Sequence, residues 1–175
     1  MKNYIITTDT TADLPESYIQ ETGLGIMSLS YTIDGETYER GHELPVKEFS
    51  AKMRAGSLPT TAQVNPEQAR QVFLEMMKQN DADVLHIAFS SGLSGSYNSA
   101  RVGAEELAEE YTDHKVIVID SLCASLGEGL LVHKALQNRK NGMSIEDVYK
   151  RQPLRLSQKQ PLQKAESLRG FEFHG

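Results

Sequence analysis

The sequence has few of the residues that mark several large classes of protein. A single cysteine, Cys123, occurs among 175 residues, so no disulfide can form within the chain and nothing indicates an oxidising compartment. Tryptophan is absent, and no stripe of Lys and Arg with interleaved aromatic residues occurs. Together with a net charge of −6, these absences argue against nucleic acid as a partner.

Long apolar segments and metal-ligand patterns are also missing. No apolar run approaches the length of a membrane span, and the first residues enter a strand-like run without a signal-peptide core. No His, Cys and carboxylate residues have the spacing of a metal site, and no phosphate-binding loop of the G-x-x-x-x-G-K-[ST] type occurs. We therefore expect a soluble, cytoplasmic protein with no transmembrane segment, no metal and no cofactor.

Apolar residues make up 39% of the chain, which is enough to bury a core. Short runs rich in Ile and Val predict strands that are covered on both faces: 3–7, 83–89 and 115–120. Residues 26–35 alternate more and predict a further strand that ends in the turn Asp34-Gly35. Helical patterns occupy 45–56, 66–80, 98–111 and 126–142. This order predicts an α/β fold with a mainly parallel sheet flanked by helices.

The last 26 residues differ from the rest of the chain. Residues 150–175 hold 6 of the 18 basic residues and only 2 of the 24 acidic ones, and they lose clear periodicity. A helix that is capped by Ser144 runs into Pro153 near this point. We therefore expect one lobe over 1–149 and a tail over 150–175 that lies outside the fold, either disordered or an artefact of sequence assembly.

Hydroxyl side chains cluster in the segments that follow the predicted strands. They are dense in 7–15, 90–99 and 120–129, and also in 59–66, which joins two predicted helices. Because the carboxyl ends of parallel strands meet at one edge, several of these loops are expected to gather there. Hydroxyls and backbone N–H groups bind anions, and the near absence of Lys and Arg favours a modest anion such as a carboxylate. Any one of these residues is better explained as a cap or turn former, but the five serines of 90–99 exceed what one cap needs.

Catalysis by Ser94 is the alternative hypothesis. The segment from Gly92 to Ser96 resembles the G-x-S-x-G elbow of hydrolases but lacks its last glycine. An α/β serine hydrolase would need His42, His86, His114 or His133 as the base, and His86 lies inside a predicted strand as a packed core residue. The residues alone leave open a binding edge without catalysis and a hydrolase.

Four segments together resemble the DegV family. They are DTTADLP (9–15), TTAQ (60–63), SSGLSGSYNSA (90–100) and VIDS (118–121), which is followed by Ser125, Gly127 and Gly129. Their order agrees with that of the family, and the resemblance covers roughly residues 1–149.

The resemblance implies a protein that binds a long-chain fatty acid and is not itself an enzyme. The carboxylate would lie at the hydroxyl-rich edge, held by Thr61 and Ser94, which match the family's ligand-binding hydroxyls. In bacteria with a fatty acid kinase, such a protein presents the acid for phosphorylation, and the product enters phospholipid synthesis. Family members are considerably longer, and their second lobe begins after the helix near Ser144. We therefore expect only the N-terminal lobe here, with the second lobe absent, and an inactive truncated fragment is a further reading.

Overall fold

The computed structural model describes residues 3–157, with side chains for residues 3–151. The strands are β1 (Tyr4–Asp9), β2 (Gly25–Met27), β3 (Ser30–Ile33), β4 (Glu36–Tyr38), β5 (Thr60–Ala62), β6 (Asp83–Ala88) and β7 (Val116–Asp120). The helices are α1 (Glu16–Thr22), α2 (Val46–Arg54), α3 (Pro66–Asn80), α4 (Ser96–Glu110), α5 (Leu126–Lys140) and α6 (Ile145–Ser157). A short 3₁₀ helix (Thr10–Ala12) follows β1.

A parallel sheet of four strands forms the centre of the molecule, in the order β2-β1-β6-β7. Ile6 pairs with Leu85, and Ile87 pairs with Ile119 across the next ladder. The three runs of Ile and Val predicted as strands supply β1, β6 and β7. The predicted α/β fold with a mainly parallel sheet is confirmed.

Alternate residues of the central strands enter two hydrophobic cores, one on each face of the sheet. Ile6 and Leu85 pack with α5 and α6 on one face. Ile5 and Val84 pack with α3 and α4 on the other, around Phe73, which is fully buried. Burial on both faces explains why these strands are almost continuously apolar.

A second, antiparallel sheet has the order β4-β3-β5. The single strand predicted over 26–35 is therefore wrong, because its residues divide between β2 in the parallel sheet and β3 in the small one. The predicted turn is confirmed, with Asp34 at φ 53° and Gly35 at φ 83°. Segment 59–66 is not simply a loop between helices, since it contains β5, which pairs with β3.

Helix α6 begins after Ser144, whose hydroxyl accepts a hydrogen bond from the Asp147 N–H at 3.2 Å, as the predicted cap requires. The helix passes Pro153 and extends to Ser157. The proposed boundary at residue 149 stays a prediction. Residues 158–175, which hold most of the proposed tail, lie outside the described residues.

The start of α3 offers a direct test of local stability. Asn65 Oδ1 accepts a hydrogen bond from the Gln68 N–H at 2.9 Å, and Gln68 Oε1 accepts one from the Asn65 N–H at 3.0 Å. We expect Asn65→Ala to lower the free energy of unfolding by roughly 0.5–2 kcal/mol, because the Gln68 N–H loses its side-chain acceptor. Urea titration measures the change. Gln79→Ala, at an exposed position of the same helix, is the control; equal stability of both variants would contradict the capping role.

Candidate functional site

The carboxyl edge of the parallel sheet has a topological switch point at β1. This strand has β2 on one side and β6 on the other, so the chain leaves the ends of β1 and β6 in different directions. The helix Thr10–Ala12 follows β1, and residues 89–95 follow β6. In open parallel sheets, the crevice at such a point is the usual place for a ligand.

A cavity of about 920 Å³ lies at this switch point. Its wall combines hydroxyl, amide and backbone groups with apolar side chains. Among the described residues that line it, none is a lysine or an arginine. The lining residues are Thr11, Leu29, Thr61, Ala62, Gln63, Phe89, Leu93, Ser94 and Gly95.

Ser94 is half-buried in the loop between β6 and α4. Its Oγ lies 3.0 Å from Ser96 Oγ and accepts a hydrogen bond from the Ser96 N–H at 3.1 Å. Helix α4 begins at Ser96, immediately after two cavity-lining residues. The positive end of the α4 dipole therefore lies beside the cavity and favours a negative charge there.

Thr61 reaches the cavity from the small sheet. It is the middle residue of β5, where it pairs with Tyr31 of β3, and its side chain is exposed. A hydrogen bond of 3.0 Å from the Gly95 N–H to Gln63 Oε1 ties this segment to the Ser94 loop. A Cβ at Gly95 would collide with Gln63 Oε1, so the contact depends on glycine. The structure thus brings both predicted site residues to one cavity, and their binding role stays a prediction.

Most of the other hydroxyls in these loops have structural roles. Ser90 Oγ accepts a hydrogen bond from the Gly92 N–H at 3.2 Å, and Ser96 and Ser99 are buried at the start of α4. In the loop after β7, Ser121 Oγ accepts a hydrogen bond from the Cys123 N–H at 3.1 Å. This loop joins the same edge through the Ser90 N–H, which bonds the Cys123 carbonyl at 3.1 Å, but its serines do not line the cavity.

The four candidate histidines within the described residues make their contacts away from Ser94. His86 is fully buried, as predicted, with Nδ1 2.9 Å from Thr7 Oγ1, and burial lowers the pKa of its imidazole. His133 lies 2.7 Å from the Tyr18 hydroxyl, and His42 stacks on Tyr38.

His114 is the fourth candidate base. Its ring lies between Asp81 and Asp83, with nitrogen–oxygen distances of 3.0 and 3.3 Å. The sequence around His114 is typical of a surface position, but only 8% of its side chain is exposed. The Ser94–His pair that the hydrolase hypothesis requires therefore has no support in the described contacts.

A buried carboxylate beneath the cavity was missed by sequence reasoning. Glu128 lies in the first turn of α5, yet it is fully buried. Its Oε1 lies 2.7 Å from Thr8 Oγ1, and its Oε2 accepts a hydrogen bond from Thr11 Oγ1 at 2.9 Å. Burial raises the pKa of Glu128 to about 7; the Asp9 carboxylate acts in the same direction, while the threonine hydrogen bonds oppose it. The pattern in the sequence that could have identified Glu128 is its position between two glycines, Gly127 and Gly129.

A second cavity, of about 990 Å³, lies between α1 and α5, where Tyr18 and His133 are among its lining residues. This cavity is larger, but it lies towards the amino edge of the sheet. Both helices start near the carboxyl edge and run back to the amino edge, and their last residues line the cavity. Parallel sheets bind ligands at the opposite edge, so we assign the candidate site to the switch point.

Residues 3–151 contain no cluster of three or more His, Cys, Asp or Glu residues placed to hold a metal. None of the helices within 3–157 combines the length and apolar content that a bilayer crossing requires.

Comparison with known proteins gives the same family from sequence and from structure. The family model described as "Uncharacterised protein, DegV family" matches residues 3–159. The DegV domain-containing protein CPE0026 of Clostridium perfringens is 41% identical over 151 residues, which cover 85% of this chain and 52% of that protein.

Solved structures agree. A DegV family protein from Thermus thermophilus, described as fatty acid binding, superimposes with a TM-score of 0.77 at 31% identity, covering 88% of this chain and 53% of the other. A stearic acid-binding protein from Eubacterium ventriosum gives a TM-score of 0.77 at 27% identity, covering 86% and 52%. The chain thus spans about half the length of these relatives. Because the family model matches all of the described residues, this chain belongs to the DegV family.

Proposed function

We propose that this chain binds a long-chain fatty acid, with its carboxylate in the switch-point cavity and its hydrocarbon tail against the cavity's apolar wall. The observation that carries the proposal is the composition of that wall. Hydroxyls of Thr61 and Ser94 occur together with the side chains of Leu29, Phe89 and Leu93. An amphiphile with one modest negative charge matches this combination better than a phosphate ester, which would attract basic residues.

The two parts of the ligand would contribute differently to affinity. Each buried methylene contributes about 0.8 kcal/mol, so the tail of a long-chain acid supplies most of the binding free energy. A hydrogen bond to a charged group contributes roughly 1.5–3 kcal/mol, so the hydroxyls fix which end of the ligand enters the cavity. Leu93, which is 67% exposed, offers apolar surface that a bound tail would cover.

Isothermal titration calorimetry with stearic acid tests the proposal on the delipidated chain. We expect binding of one equivalent, and we expect stearyl alcohol to bind more weakly because it lacks the carboxylate. No heat of binding with either ligand would overturn the proposal. An ester-hydrolysis assay tests the serine hydrolase alternative. If the chain hydrolyses an ester and Ser94→Ala abolishes the turnover, the protein is a hydrolase and not a binding protein.

We extend the proposal to a carrier role, in which the bound acid is presented to a fatty acid kinase in the cytoplasm for phospholipid synthesis. The exposure of Thr61 supports this role, since a second protein would have access to the carboxylate from that side. Transfer of phosphate from ATP to stearic acid by a bacterial fatty acid kinase should be faster with the loaded chain than with free acid. An unchanged rate would contradict the carrier role but not fatty acid binding.

A further inference from the structure

The contacts of Glu128 require more hydrogens than an ionised carboxylate allows. Thr8 Oγ1 lies 2.7 Å from the Ile87 carbonyl oxygen and 2.7 Å from Glu128 Oε1. A hydroxyl has one hydrogen, and a carbonyl oxygen can only accept. With Glu128 ionised, one of these two short oxygen–oxygen contacts would have no hydrogen between its atoms.

A protonated Glu128 satisfies all of these contacts. The Thr8 hydroxyl then donates to the Ile87 carbonyl, and the Glu128 acid O–H donates to Thr8 Oγ1. Oε2 becomes the carbonyl oxygen of the acid and accepts the hydrogen bond from Thr11 Oγ1 at 2.9 Å. The side chain is fully buried, where a neutral acid is favoured over a carboxylate.

The groups around Glu128 also favour its protonated, neutral form. Asp9 on β1 is also buried, with Oδ2 accepting a hydrogen bond from the Phe89 N–H at 2.7 Å. Its Oδ1 has no hydrogen-bond partner within the described side chains and lies 3.6 Å from Nε2 of buried His86 on β6. Asp120, at the end of β7, and Cys123, in the loop before α5, are further titratable groups on this side; burial raises the pKa of the Cys123 thiol, and the Glu128 and Asp120 carboxyl groups act in the same direction. A second buried negative charge beside Asp9 would be unfavourable.

We propose that Glu128 is held as a neutral acid that donates a hydrogen bond to Thr8 Oγ1, and that ionising it lowers the affinity of the cavity for an anionic head group. This inference rests on the proposed function for its ligand. Glu128 is a positioning residue here, acting through Thr11, which lines the cavity. An ionised Glu128 would bind the Thr11 hydrogen tightly and leave only oxygen lone pairs to face the ligand. A neutral Glu128 accepts the Thr11 hydrogen more weakly, so this hydrogen can turn to a bound ligand, and the neutral acid adds no charge.

Carbon-13 NMR of the full chain, labelled at the glutamate side-chain carboxyl groups, tests the proton directly. Glu128→Gln assigns the Glu128 signal by its loss, and Glu106→Gln, at an exposed position of α4, is the control. Without ligand, we expect the Glu128 signal to titrate near pH 7, whereas a midpoint near that of a free glutamate, about 4.3, would overturn the proposal. This arm does not need any ligand to bind, so it stands apart from the proposed function.

Saturating stearic acid tests the coupling. We expect it to move the midpoint up by about one unit, which by linkage is a roughly tenfold loss of affinity when Glu128 ionises. Stearyl alcohol should leave the midpoint in place. If stearic acid binds but the midpoint does not move, the coupling is overturned. In Glu128→Gln, whose amide can make the same contacts as the neutral acid, stearic acid affinity should lose this pH dependence.

Thermal unfolding gives an independent check. The fold raises the pKa of Glu128, so the stability that its proton contributes is present below the unfolded pKa and lost as pH rises through about 7. Glutamine cannot lose that proton. The Tm of Glu128→Gln relative to the native chain should therefore be higher at pH 8 than at pH 5. A difference that stays constant would contradict the proposal.

Discussion

Replacing Ser94 with alanine should weaken stearic acid binding by roughly 10- to 150-fold, the range that follows from losing one hydrogen bond to a charged group. Thr61→Val should have an effect of similar size, because it removes the second hydroxyl while keeping the shape of the side chain. Both residues line the same cavity, so the double variant tests whether they hold one carboxylate together. Calorimetry on the delipidated variants measures each loss.

Matched controls lie within the same segments. Ser91→Ala removes an exposed hydroxyl from the Ser94 loop, and Thr60→Val alters the neighbouring position of β5, whose side chain points to the opposite face. Neither control residue lines the cavity, so both should retain affinity. Ser94 Oγ also accepts the Ser96 N–H, so the stability of Ser94→Ala must be measured in parallel. Equal affinities in the site variants and the controls would show that these hydroxyls do not bind the ligand.

Phe73→Ala should lower the free energy of unfolding by roughly 3–5 kcal/mol, which is a larger loss than that expected for Asn65→Ala. Phe73 is fully buried in the core between α3 and the sheet, and its ring meets that of His86 edge-on, with centroids 5.3 Å apart. Truncation removes that contact and leaves a cavity beside the polar groups at the end of β1. Urea unfolding followed by circular dichroism measures the change.

Leu58→Ala is the control for this variant. Because Leu58 is 86% exposed, its truncation should leave the free energy of unfolding almost unchanged. A similar stability loss in both variants would contradict the assignment of Phe73 to the core. A folded Phe73→Ala with native stability would require the core to collapse around the missing ring, which close-packed interiors rarely achieve.

Local patterns were enough to predict the parts of the fold that dominate its core. The runs of Ile and Val predicted β1, β6 and β7, and the helical spacing of 66–80 predicted α3, whose buried face includes Phe73. The short elements were harder. Strand β5 is the sequence TTA, which has no apolar alternation, and its pairing with β3 depends on residues about 30 positions away. Helix α1 spans only seven residues, and we did not predict it.

The site was predictable to a similar degree. Ser94 stood out because its loop is rich in hydroxyls, whereas Thr61 was identified only through the family resemblance. Glu128 was missed because a glutamate in the first turn of a helix usually faces solvent and complements the dipole. Its burial depends on close packing of α5 against the segment after β1, where a Cβ at Gly129 would lie 2.9 Å from the Ala12 carbonyl oxygen. Such a contact between distant segments leaves no local pattern.

Native mass spectrometry of the delipidated chain, mixed with equal amounts of stearic acid and stearyl alcohol, tests fatty acid binding most directly. Charge states report compactness, and mass identifies the ligand. We predict a compact ion that carries one stearic acid, and loss of that adduct in the variant lacking both the Thr61 and Ser94 hydroxyls. A compact ion without ligand, or one that carries acid and alcohol equally, would contradict the account that these hydroxyls select the carboxylate.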